Sequence, residues 1–116
     1  MNQEKYNELM ERAKVKGNLE GIQKKDFLEF LLSLSDSGMH PVDMGLVLYN
    51  SKEQFYASGK MFSWFYDTYL DKQIRRFENG YYRKYGREHE QEMAKFFKEQ
   101  LKILLRLSSI IAKLDT

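Results

Sequence analysis

Between positions 72 and 87, six basic side chains (Lys72, Arg75, Arg76, Arg83, Lys84 and Arg87) stand against one acidic residue, Glu78. The whole chain carries only +2, so this segment concentrates positive charge that the rest offsets. Tyr81, Tyr82 and Tyr85 lie among the bases. Lysine and arginine neutralise phosphates, and a tyrosine ring stacks on an unpaired base for about 1–3 kcal/mol. Lys72, Arg76, Tyr81, Tyr82, Arg83, Lys84, Tyr85 and Arg87 thus have the make-up of a single-stranded nucleic-acid site. A plainer account needs no ligand. Arg75 and Arg76 suit the negative end of one helix dipole, and Glu88, Glu90 and Glu92 suit the positive start of the next. It accounts less well for Arg83 and Lys84.

A second constellation surrounds the one tryptophan. In a helix over 51–78, Phe55, Phe62, Phe65, Tyr66, Tyr69, Leu70 and Phe77 form an apolar stripe, with Gly59 on it where another helix could approach closely. Trp64 projects away from that stripe, beside Met61 and Thr68, with Lys60, Asp71, Lys72 and Arg75 around it. A tryptophan ringed by charges has the composition of a binding hot spot. Met61, Trp64, Thr68, Lys72 and Arg75 form the expected protein-binding set, with Trp64 as anchor and Arg75 as the charge-assisted partner of an acidic group. The alternative is that Trp64 packs on the first three helices as core.

Other chemistry leaves little trace. Neither His40 nor His89 has the three or four ligands that a zinc site needs. The stretch from Asp36 fails as a calcium loop, because Pro41 and Val47 occupy the positions that require Gly and Glu. No glycine-rich phosphate loop occurs. There is no cysteine, hence no thiolate nucleophile and no disulfide framework. The expectation is a protein without catalytic activity and without a cofactor, acting as an adaptor, a complex subunit or an inhibitor.

These residues need a scaffold, and the scaffold reads as all-α. A chain of 116 residues is one domain with room for one core. A single proline favours long helices. Tyr6, Leu9, Met10 and Ala13 share one stripe of a first helix over 2–16, with Gly17 as its stop. A second covers 26–35, with Asp26 and Glu29 at capping-box spacing. Pro41 suits the first turn of a short third helix that is apolar nearly all round. Ser51 and Gln54, again at capping-box spacing, open the fourth, which runs to about position 78. The fifth runs from Arg87 to Leu114.

The expected fold is therefore a bundle of roughly five helices whose last two form a long antiparallel hairpin. On the fifth helix Lys95, Lys98, Lys102, Arg106 and Lys113 form a basic strip. Met93, Phe96, Phe97, Leu101, Ile103, Leu104, Leu105, Leu107, Ile110, Ile111 and Leu114 cover more than half the circumference. That arc exceeds what a surface helix buries, and a homodimer is expected on its width. The N-terminal residues lack the apolar run of a signal peptide. The stretch 101–114 is broken by Lys102, Arg106 and Lys113, which argues against a membrane span. A cytoplasmic location is the expectation.

Overall fold

The computed structural model describes residues 1–78 and 87–114, with the side chains of 41, 73, 76–78, 87–90, 93–94 and 108–114 outside the description. All regular structure among the described residues is helical. Helix α1 spans Gln3–Ala13, and the Asn2 side chain caps it by accepting from the Lys5 N–H at 2.8 Å. It buries Leu9, Met10 and Ala13, and Tyr6 packs on Phe30 with ring centroids 5.7 Å apart. The helix stops three residues short of the expected end. Gly17 instead takes φ +76° in the following turns, and its N–H donates to the carbonyl of Asn50 at 3.1 Å.

Helix α2, Lys24–Ser35, opens before the expected capping pair, with Gln23 at the N-cap and no side-chain cap. Asp26 lies in the first turn, where its carboxylate meets the positive end of the dipole. Helix α3, Pro41–Asn50, begins where the proline predicts, and His40 caps it by accepting from the Val42 N–H at Nδ1, 3.2 Å away. Met44, Gly45, Val47, Leu48 and Asn50 are buried while only Asp43 and Leu46 are exposed among its described side chains, so this helix is enclosed around most of its circumference. It packs against α1 and three of the helices that follow it, which makes this short helix the hub of the bundle.

The single rod expected over 51–78 is not formed. Helix α4, Lys52–Ala57, ends at Ser58, and Gly59 breaks the path at φ +123°, ψ 172°, a region open essentially to glycine alone. A Cβ at Gly59 would meet nothing within 4 Å, so this glycine serves a sharp bend, not the close helix approach expected of it. Helix α5, Lys60–Phe65, leads into a π-helical turn, Tyr66–Leu70, and then α6, Asp71–Glu78. The second capping pair is also spent elsewhere. The Ser51 hydroxyl donates back to the Val47 carbonyl at 2.6 Å, and Gln54 Nε2 donates to the Ile22 carbonyl at 3.3 Å.

The π turn follows from spacing. Phe62, Tyr66, Leu70 and Ile74 are all buried and recur every four residues. At about 100° per residue, three such steps drift by about 120° around an α-helix, too far for one core face. A turn closed i→i+5 takes in one extra residue and sets the following ones back by roughly 100°. The drift is cancelled and Ile74 stays on the core. This also corrects two assignments made on a straight helix: Ile74 belongs to the core, and Tyr69 is partly exposed.

Helix α7, Arg87–Leu114, has 28 residues and is about 42 Å long. It packs on α2 and α3 through Phe97, Leu101 and Leu104, all buried, and Lys102 pairs with Asp36 beyond the end of α2 at 3.4 Å. No helix among the described residues is long and apolar enough to cross a membrane.

Candidate functional site

Placing α7 on α2 and α3 covers one side of its apolar arc and leaves another side facing the α5–π segment. Gln100, Ile103 and Leu107 recur at i, i+3 and i+7, one stripe of a helix. Across from them stand Trp64, Phe65 and Tyr69. Together these six line an open groove of about 260 Å³. Trp64 meets Tyr69 edge to face at 5.6 Å, and Tyr69 meets Phe65 at 5.3 Å. Phe65 is buried and forms the floor. Trp64 is 54% exposed, Ile103 46%, Leu107 41% and Tyr69 39%.

Of the residues expected to bind protein, Trp64, Thr68, Lys72 and Arg75 are exposed, and Met61 is half-buried against the core. Trp64 is therefore not core. The five do not share one face. On an uninterrupted α-helix Arg75 would lie within about 20° of Trp64. The π turn swings it roughly 80° away, and its guanidinium pairs with Asp71 at 3.1 Å. The same rotation keeps Lys72 within about 20° of the Trp64 direction.

The partners that the sequence reading missed are Tyr69, Gln100, Ile103 and Leu107. The stripe on α7 was visible as a helical repeat, but nothing local says which side of a wide apolar arc another helix will cover. Of the expected nucleic-acid set, Lys72 is exposed. Residues 81–85 and the side chains of Arg76 and Arg87 lie outside the described residues.

Ionisable chemistry gathers away from the groove. The Tyr56 hydroxyl donates to Asp67 at 2.5 Å, and this bond, helped by burial and the Asp67 charge, pushes its pKa up to about 12. Tyr66 is fully buried with no hydrogen-bond partner for its hydroxyl. Burial, then the nearby Asp71 charge, raises its pKa strongly. Tyr6 is also raised, chiefly by burial, against a hydrogen bond with Ser37. Lys52 bridges this region, 3.7 Å from Asp71 and over the rings of Tyr56 and Tyr66. Among the described residues no three His, Asp or Glu side chains converge as a metal site would require. The groove itself offers apolar walls and one amide, a lining suited to holding a side chain. No protein-family model matches the chain, and neither a curated protein nor a solved structure matches it significantly.

Proposed function

We propose that the protein works by binding another protein through the groove between α5 with its π turn and α7, with Trp64 as the anchor and no catalytic step of its own. One observation carries this reading. Nine large apolar side chains are exposed among the described residues, and four of them line this one groove. Apolar residues scattered singly over a surface are ordinary, whereas a contiguous patch marks an interaction site. Trp and Tyr are also among the residues most enriched at binding hot spots. An adaptor, a complex subunit and an inhibitor all use such a surface. We further take α6 and α7 as the arms of an antiparallel hairpin, joined through the eight residues between Glu78 and Arg87.

Capture from native lysate tests the reading, with wild type, Trp64→Ala and, as a control at an exposed apolar site elsewhere, Leu46→Ala. Protein bands should survive nuclease treatment, persist with Leu46→Ala and disappear with Trp64→Ala, while the circular-dichroism melts of the three coincide. Bands that vanish with nuclease would transfer the function to the basic, tyrosine-bearing segment and a nucleic-acid partner.

A further inference from the structure

We infer that the groove receives an acidic amphipathic helix of the partner protein, an inference that rests on the protein-binding reading above and names its occupant. Size comes first. At about 260 Å³ the groove falls short of the roughly 300–1,000 Å³ typical of small-molecule pockets. It has room for one or two large side chains. Backbone chemistry then selects the form of the occupant. Both walls are helical, so their backbone groups are satisfied within the helices and offer no strand edge. An extended peptide would find no main-chain partners here, whereas a helix brings its own hydrogen bonds and presents anchors at i, i+3, i+4 and i+7. The Gln100 to Leu107 stripe runs about 10 Å, two turns of such a helix.

Charge selects the sign. Lys60, one turn before Trp64, Lys72 after it, and Arg106 beside Leu107 are exposed and hold no ion pair. The acidic groups on the same wall are already engaged, Asp67 by Tyr56 and Asp71 by Lys52 and Arg75. Among the described residues of the facing wall, Glu99, one turn before Ile103, adds an unengaged negative charge. By helical spacing, the described residues three or four positions from a lining residue thus offer three unengaged cations to one anion, a balance that favours and steers an acidic partner. Area weighs against a second copy of this chain. Four half-exposed side chains amount to roughly 400 Å², about half of what one side of a stable interface contributes, but enough for a single docked helix.

The test uses the intact chain and a pair of tryptophan-free peptides of about sixteen residues, long enough to be helical. Both carry Leu and Phe at i, i+3, i+4 and i+7. One has glutamates on its polar face and its twin has lysines. Trp64, the only tryptophan, reports by its own fluorescence. The acidic peptide should shift the emission to the blue and bind about tenfold or more tighter than its twin at low salt, converging as salt rises. Ile103→Glu should weaken it by about tenfold or more. Lys60→Glu with Arg106→Glu, both exposed positions, should invert the preference between the twins. Equal binding of the twins, or no shift with either, overturns the inference. So does a wild-type dimer in sedimentation that Leu107→Glu dissociates, because the second copy is then the occupant. If lysate capture depends on Trp64 but the twins are not distinguished, the occupant falls and the protein-binding reading stands. If capture itself fails, that reading falls first.

Discussion

Two aromatic clusters share the stretch from Trp64 to Tyr69 and differ in what covers them. On one side Tyr66 packs against Phe55 at 5.2 Å, and Phe55 meets Phe27 edge to face at 5.0 Å. All three rings are fully buried. On the other side Trp64 and Tyr69 make the same kind of edge-to-face contact but stand open to solvent. Residue type does not separate the clusters, and neither does ring geometry. What separates them is that α2 and α4 close over the first, while nothing among the described residues closes over the second. The closed cluster should govern stability and the open one binding.

Substitutions can break or sharpen this division, and the largest effect belongs to the closed side. Phe55→Ala should lower the unfolding free energy by about 3–5 kcal/mol in urea titrations, the usual consequence of an emptied aromatic site. A loss near zero would mean that the cluster is not closed. Next comes the bend that lets α4 fold back onto that cluster. Gly59→Ala should lose about 1–3 kcal/mol from backbone strain alone, since the space beside it is empty. No loss would restore the continuous helix that the sequence suggested. Tyr66→Phe should run the other way. Its hydroxyl is buried without a partner, so removing it should raise the unfolding free energy from urea titration by about 1 kcal/mol.

Tyr56 links the closed cluster to solvent, and its contribution depends on pH. Its folded-state pKa, about 12, lies above the ordinary phenol value near 10. The folded protein therefore holds this proton more tightly than the unfolded chain. The resulting stability is complete below pH 10 and is lost as pH rises through about 12. Because Tyr56 is exposed, the effect should be only a few tenths of a kcal/mol. Absorbance titration of wild type against Tyr56→Phe should show one late-titrating phenol removed. The smallest stability change belongs to the open side. Trp64→Ala should stay within about 0.5 kcal/mol of wild type while abolishing binding. A melt lowered by many degrees would show that the open cluster is structural after all.

Much of the framework was legible. The starts of α1 and α3 follow from Asn2 and from Pro41 with its neighbour His40, and the span of α7 follows from its long apolar repeat. Each signal acts within one turn of helix and needs no tertiary partner. The two capping pairs read from spacing failed for different reasons: α2 begins at Lys24, so Asp26 stands inside its first turn and not at the N-cap. Ser51 and Gln54 have the right separation, but their polar atoms found other acceptors, the carbonyls of Val47 and Ile22. The continuous rod failed because Gly59 was treated as tolerated within a helix, and because a fixed 100° step hides a π turn. The candidate site was half legible. Trp64 stands out by type and surroundings. Ile103 and Leu107 do not, since α7 is apolar over more than half its circumference.

The sequence by itself determined that the chain is helical, where most helices begin, and which side chains have the apolar character to form a core. These depend on turn chemistry and periodicity, which act over a few residues. Only the tertiary structure decided that the fourth helix bends and rewinds, and that the groove opens beside Trp64. Whether an apolar side chain becomes core or surface depends on which distant helix lies across it. Here α7 lies across α2 and α3, and that course leaves Ile103 and Leu107 uncovered beside Trp64.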